Sequence, residues 1–313
     1  MHGDLMDELP PGFHVGDSRN MDDVETGSVT LIITSPPYNV DKEYERGQSF
    51  KEWKQLIHDV LKECDRVLKD GGRACINVPT GIHRNPSIAI DYHVMEIALG
   101  LGWWQRGRVL WLKPMTKNPS GWGSFKKATN PTLRDAHEVI LVMDKGKEFI
   151  PDGDSGISTE EFMEFTRSEW YMEPESAERV GHPAPFPEEL PRRCILLWSN
   201  IGDIIVDPFP GSGTTLKVAR ALGRKAIAYE LNKDYIPVIK KRLEAPMRIQ
   251  SDAVNRREWI EKLYPGYHEM TRTELVDACQ KVGIEASVSN SRVSMMDAID
   301  RQRKMKRLDE FLT

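Results

Sequence analysis

Val29-Thr30-Leu31-Ile32-Ile33-Thr34-Ser35-Pro36-Pro37-Tyr38 carries six apolar or β-branched residues directly into two consecutive prolines. The apolar run predicts a buried strand, and the prolines predict a stiff extended loop without N–H groups at its end. A second stretch repeats the arrangement, with Ile204-Ile205-Val206 leading into Asp207-Pro208-Phe209-Pro210-Gly211-Ser212-Gly213. Open α/β sheets hold their ligands in loops at the carboxyl ends of strands, so both loops are candidates for binding.

Working outward, strand and helix patterns alternate. Phe50, Trp53, Ile57, Val60, Leu61, Cys64, Val67 and Leu68 follow helical spacing, and Asp70-Gly71-Gly72 is expected to stop that helix. Ala74 to Val78 reads as a strand, Ile88 to Leu101 as a helix, and Arg108 to Leu112 and Glu138 to Met143 as strands. Glu188 to Ser199 predicts a helix before Ile204. Helix Thr214 to Leu222, strand Lys225 to Tyr229 and helix Lys233 to Leu243 follow. This alternation predicts an α/β fold with a mostly parallel sheet and helices on both faces. Residues 144–181 have weak periodicity and define no clear element.

The 313-residue chain is long enough for one large domain and a small appendage. Its four cysteines lack paired or metal-like spacing, and there is no signal-peptide pattern or long apolar span. A cytoplasmic protein with no membrane partner and no metal is expected. Net charge is −5, yet Trp104 to Arg134 holds Arg106, Arg108, Lys113, Lys117, Lys126, Lys127 and Arg134 with no acid, leaving −12 on the remainder. A basic stretch on an acidic chain suits an enzyme that meets phosphate along one side, although a solvated loop gives the same pattern. The connection between the strands at Leu112 and Glu138 is long and polar, as binding loops are.

Gly211 and Gly213 remove side chains where a ligand must approach backbone. No Lys follows in a phosphate-loop pattern, and no third glycine completes a dinucleotide fingerprint. Instead Asp207 precedes the glycines, and Glu230 ends the next strand about twenty residues on, where a carboxylate suits ribose hydroxyls. Asp207 is expected to face a cationic amino group. An ammonium, a sulfonium and a ribose without phosphate describe S-adenosylmethionine.

Ser35-Pro36-Pro37-Tyr38 supplies what an exocyclic amine needs. Its nitrogen lone pair is delocalised into the base ring and becomes nucleophilic when acceptors bind its hydrogens. The Ser35 oxygen and the Pro36 carbonyl are candidate acceptors, and the Tyr38 ring can stack on a base taken out of the duplex. Methylation at cytosine carbon-5 needs a cysteine nucleophile, typically after a proline; none of Cys64, Cys75, Cys194 or Cys279 follows one.

Thr34 to Tyr38, His182-Pro183-Ala184-Pro185-Phe186-Pro187 and Asp207 to Gly213 together resemble three signature segments of the β-group DNA amino-methyltransferases. Their order is that group's circularly permuted one, and the resemblance covers roughly residues 14–243. It implies a Rossmann-like methyltransferase fold acting on double-stranded DNA. By resemblance Gly16-Asp17 contacts the cofactor adenine, Phe186 and Pro187 line its pocket, Glu230 holds the ribose, and Ser35 to Tyr38 form the catalytic loop. Phe209, Ser212 and Thr214 complete the expected cofactor loop, while His182 is either a donor to that pocket or a packed structural histidine. Serine at position 35 is more typical of cytosine-N4 enzymes and leaves adenine-N6 open. A cognate restriction endonuclease and a monomeric or homodimeric state are compatible partners.

The expected domain plan is a methyltransferase domain over 1–263, with a catalytic half at 14–112, a recognition region at 113–181 and a cofactor half at 182–243. Trp103, Trp104 and Trp111 read as core. Trp122 and Phe125, beside Lys126 and Lys127, read as DNA contacts, together with Lys113, Lys117 and Arg134. Beyond a hinge at Tyr264-Pro265-Gly266-Tyr267, residues 264–313 read as a small helical module loosely similar to SAP-like nucleic-acid-binding units, ending in the basic run Arg301 to Arg307. Two other classes fit less well. A non-catalytic DNA binder would not need both motifs intact, and a protein amide methyltransferase would carry Asn at position 35.

Overall fold

The structure is a computed structural model that describes residues 9–39, 47–82, 87–113, 123–124, 126–133, 135–147, 149–181, 185–250, 270–287, 295–296 and 298–299. The elements in order are β1 (Phe13–Val15), β2 (Val29–Thr34), α1 (Phe50–Val67), β3 (Leu68–Val78), α2 (Ile90–Gly100), β4 (Trp104–Leu112), β5 (His137–Asp144), α3 (Thr159–Phe165), β6 (Glu169–Tyr171), α4 (Ala177–Val180), α5 (Glu189–Trp198), β7 (Ile204–Asp207), α6 (Thr214–Ala221), β8 (Lys225–Glu230), α7 (Ile236–Glu244) and α8 (Arg272–Lys281). The chain divides into two compact units, 1–250 and 251–313. That division lies upstream of the expected hinge at Tyr264, which falls outside the described residues.

Among the described residues the first unit is built on one eight-stranded sheet in the order β1-β8-β7-β2-β3-β5-β4-β6. Every neighbouring pair is parallel except those made by β5, which runs antiparallel between β3 and β4. Strand β2 is buried along its whole length and sends its side chains to both faces. Val29 and Ile32 join a core with α1 and α2, whereas Leu31 and Ile33 join a second core with α5, α6 and α7. Val29 and Leu31 would share a face in a regular strand; a register shift between them in the pairing with β3 separates them.

The same shift corrects the expected break at Asp70-Gly71-Gly72. The helix already ends at Val67, and the glycines lie inside β3 as an irregularity, with Val29 opposite Leu68 and Leu31 opposite Arg73. Gly71 has φ +77, and a Cβ at Gly72 would sit 2.8 Å from the Lys69 carbonyl oxygen, so this excursion requires glycine.

Two short strands were not legible in the sequence. β1 and β6 are three residues each, too short for periodicity, and each forms by pairing at a sheet edge, β1 on β8 and β6 on β4. Residues 144–181 are tied down by α5. Arg193, fully buried, pairs with Glu189 and Glu164 and lies 4.7 Å over the Phe165 ring, while Arg192 pairs with Glu161 and Glu189. Trp103 and Trp111 are core as expected, but Trp104 is half exposed at the start of β4. In the second unit α8 begins with a Thr271–Glu274 capping box and packs Leu275 and Cys279 on Met295, Met296 and Ile299. No helix among the described residues is long and apolar enough to cross a membrane.

Ile32 is the test of the central strand, being fully buried beneath α1. Ile32→Ala should cost about 2–5 kcal/mol of unfolding free energy in urea titration. A loss under about 1 kcal/mol would mean that this strand is not in a packed core.

Candidate functional site

The two loops singled out in the sequence meet because β2 and β7 are neighbours, with Leu31 opposite Ile205 and Ile32 opposite Val206. The chain builds the sheet outward in opposite directions from this pair, to β3 on one side and β8 on the other, which makes their carboxyl ends the topological switch point. A cavity of about 300 Å3 opens there. Ser35, Pro36, Pro37 and Tyr38 line one side, and Asp17, Phe209, Gly211 and Glu230 the other. Gln48, Leu56, Leu231, Asn232 and Tyr235 also reach it. Sequence reasoning passed over these five, although Leu231 and Asn232 directly follow Glu230, whose position could have found them.

The catalytic-loop candidate is held at three points. Trp53 Nε1 of α1 donates to the Pro37 carbonyl at 2.7 Å. Ser35 Oγ and Tyr38 Oη lie 2.6 Å apart, and Tyr38 Oη donates to Glu138 Oε2 at 3.2 Å. Asn77, at the end of β3, donates to Glu138 at 2.6 Å and to Tyr38 Oη at 3.1 Å. Burial first, and the nearby Glu138 carboxylate second, push the Tyr38 phenol well above its ordinary range, so it stays protonated. The Tyr38 ring packs against the first core cluster while lining the cavity.

On the other side, Glu230 accepts the Asn232 amide at 2.9 Å, and burial raises its carboxyl above the usual range. Asp17 receives Arg19 at 2.5 Å, and that contact lowers its carboxyl. The glycine loop ends as expected, with Gly213 at φ +77 capping α6; a Cβ there would come 3.0 Å from Ile239 of α7. Ser212 Oγ and Thr214 Oγ1, 3.2 Å apart, are buried inside the loop rather than in the cavity lining.

Several expected residues lie elsewhere. Asp207 does not face the cavity; it is buried beneath the loop, where Oδ1 accepts the Phe209 amide at 3.0 Å and Oδ2 has no hydrogen-bond partner. Phe186 and Pro187 are buried outside the lining, Phe186 in the second core cluster, because the start of α5 packs against the sheet. Lys113 is paired with Glu138 and stacked 4.5 Å over Trp111 instead of reaching outward. Arg106 pairs with Asp144 and Arg108 with Asp91, so part of the basic stretch is neutralised within the domain. Lys126 and Lys127 are exposed. Lys117, Trp122, Phe125, Arg134 and His182 fall outside the described residues.

The donor set suits a cationic, phosphate-free nucleoside. Two carboxylates flank the cavity, the glycine loop brings no lysine, and the hydroxyl of Tyr229, a lining residue, is buried with no hydrogen-bond partner. A mostly parallel sheet with such a cavity at its switch point defines a Rossmann-like methyltransferase. Residues 29–241 match the DNA methylase family of N6 and N4 methyltransferases, and the chain belongs to it. Type II methyltransferase M.MjaI of Methanocaldococcus jannaschii is 32% identical over 273 residues, covering 73% of this chain and 89% of that protein. The DNA adenine methyltransferase YhdJ of Escherichia coli is 28% identical over 271 residues, covering 78% and 82%. The TTHA0409 DNA modification methylase of Thermus thermophilus, solved with S-adenosyl-L-methionine, superposes with a TM-score of 0.60 at 28% identity over 74% of this chain and 92% of that one. Enzymes of this family use S-adenosylmethionine and act on DNA.

Burial raises the Asp207 carboxyl to about 6, against the opposing pull of the Thr215 hydroxyl and the Phe209 amide. A carboxyl whose folded pKa is raised supports the fold while protonated and loses that support as pH climbs from about 4 through 6. Asp207→Asn should therefore raise cofactor-free stability by about 1–3 kcal/mol at pH 8. The gain should shrink as pH falls from 6 to 4. Chemical denaturation across this range checks it, and a gain that grows toward pH 4 would contradict it.

Proposed function

We propose that this enzyme transfers the methyl group of S-adenosylmethionine directly to the exocyclic N4 of a cytosine extruded from double-stranded DNA, with Ser35 to Tyr38 as the catalytic loop. The observation that carries the reading is that this loop and the carboxylates of Asp17 and Glu230 line one cavity. S-adenosylmethionine supplies a methyl group on a cationic sulfur, so a neutral amine can displace it without a covalent enzyme intermediate. Ser35 accepts one amine hydrogen, which localises the nitrogen lone pair toward the methyl group. The N–C bond forms as the S–C bond breaks, leaving neutral S-adenosylhomocysteine and a cationic methylated nitrogen that then releases one proton to solvent; charge moves but is not created, so a fixed hydroxyl acceptor suffices for the transfer itself. The proline backbone holds that acceptor without competing N–H donors. Glu230 is assigned to the ribose hydroxyls and Asp17 to the adenine.

All four cysteines are buried, and none lines the cavity, in keeping with amine rather than ring-carbon chemistry. The connection between Lys113 and His137 leaves and re-enters the sheet at the strand ends that also carry Ser35, which supports assigning it to DNA. Lys126 and Lys127 are assigned to phosphate contact there. A cytoplasmic location and a partner restriction endonuclease follow from the same reading, since M.MjaI is named a Type II methyltransferase. Adenine-N6 is the second reading, favoured by the name of the Escherichia coli relative.

Mass spectrometry of nucleosides from duplex DNA treated with enzyme and S-adenosylmethionine should detect N4-methylcytosine. Ser35→Ala should reduce product at least tenfold with cofactor binding unchanged. N6-methyladenine alone would reverse the choice of base, and 5-methylcytosine would refute the mechanism. Calorimetric titration should show Glu230→Ala weakening S-adenosylmethionine by roughly tenfold or more, the loss expected of a charge-assisted hydrogen bond worth about 1.5–3 kcal/mol. Wild-type affinity would remove Glu230 from the site.

A further inference from the structure

We infer that Glu138 is a positioning residue for methyl transfer: seated on Lys113 and Asn77, it fixes the direction of the hydrogen bonds that turn the Ser35 oxygen toward the incoming amine as an acceptor. The inference rests on the role proposed above for Ser35.

Glu138 lies near the start of β5, opposite Trp111 of β4. The antiparallel course of β5 brings this position to the edge where β2 and β3 end, beside Ser35 and Asn77. Its side chain is only 14% exposed, yet it meets three donors. Asn77 Nδ2 and Tyr38 Oη approach one carboxylate oxygen at 2.6 and 3.2 Å, and Lys113 Nζ meets the other. Lys113 supplies the opposite charge to a carboxylate largely removed from water, and the Trp111 ring holds it in place.

An ionised carboxylate only accepts, and that fixes the rest. Tyr38 has one hydroxyl proton. Directed to Glu138, it leaves the Tyr38 oxygen to receive the Ser35 hydroxyl at 2.6 Å. Ser35 then spends its own proton inward and, with Asn77 Nδ2 3.4 Å from one side of its oxygen, keeps a lone pair for the cavity it lines. Each bond in the series from Ser35 through Tyr38 to Glu138 polarises the next toward the negative charge. With the order reversed, Tyr38 would donate to Ser35 and Ser35 would turn its own hydrogen to the Asn77 carbonyl at 3.2 Å; with Asn77 Nδ2 3.4 Å away, both Ser35 lone pairs would then face inward donors and none would be left for the amine. The sequence gives little sign of this, since Asn77, Lys113 and Glu138 are scattered along the chain and only strand order assembles them.

The test is steady-state methylation of duplex DNA by the full chain, with S-adenosylmethionine, for Glu138→Gln, Tyr38→Phe and the double variant. Gln keeps the size of Glu but can donate as well as accept, so direction is lost while packing is kept. Glu138→Gln should lower kcat at least tenfold and leave the S-adenosylmethionine KM within twofold. Because Glu138 acts through Tyr38, adding Glu138→Gln to Tyr38→Phe should cost less than a further twofold, whereas independent roles would multiply the two losses. Lys113→Met, which removes the counter-charge, should reproduce the kcat loss and serves in place of Glu138→Gln should that variant not fold. Multiplicative losses, a change confined to KM, or kcat within twofold of wild type would each overturn the inference. Nucleoside analysis of the wild-type reaction separates the levels. Absence of any methylated amine would bring down the functional reading and this inference together, while normal product with an unaffected Glu138→Gln variant brings down this inference alone.

Discussion

Leu31 pairs with Ile205 and Ile32 with Val206 at the centre of the sheet, and the position of every other functional group follows from that parallel contact between β2 and β7. Both strands are buried between helical layers, so a slip of one residue would exchange the side chains facing the two cores. Register at this contact is therefore strongly specified. It also sets Ser35 and the Asp207 loop at adjacent strand ends, although they lie far apart in sequence.

Charge is managed differently above and below the loops. Around the cavity, the carboxylates of Glu230 and Asp17 line the wall, Asp17 already paired with Arg19. Beneath it, Asp207 is closed off and incompletely paired. A buried carboxyl with an unsatisfied oxygen weakens the fold, and such costs recur at functional sites. Asp207 anchors the Phe209 amide and thereby shapes the wall that a cofactor would meet. On the other side the same economy puts Glu138 and Asn77 behind Ser35 and Tyr38, where they bond to Tyr38 rather than line the cavity, with Lys113 behind them paired to Glu138.

The sheet was legible wherever apolar runs were long enough to show a period. Trp53, Ile57, Val60, Leu61 and Cys64 announce α1 because they bury one face at helical spacing, and Val29 to Thr34 announce β2 as an unbroken apolar and β-branched run buried on both faces. Strands β1 and β6 were hidden, since three residues carry no period and their pairing partners are distant. Residues 144–181 resisted reading for a related reason. Glu161 and Glu164 are satisfied by Arg192 and Arg193 from α5, a charge match that no local window contains. At the site, Ser35 to Tyr38 and Glu230 line the cavity at the strand ends. Asp207, Phe186 and Lys113 were recognised as notable residues, but the side to which each points depends on packing that spacing does not encode.

A crystal structure of the enzyme with S-adenosylmethionine tests the account most directly, because it measures whether the cofactor and the amine-binding loop share one cavity. The ribose should lie within hydrogen-bonding distance of Glu230, the adenine beside Asp17, and the methyl-bearing sulfur should face Ser35 and Pro36. Cofactor density at any other place in the molecule, or in this cavity with the methyl group turned away from Ser35, would contradict the account.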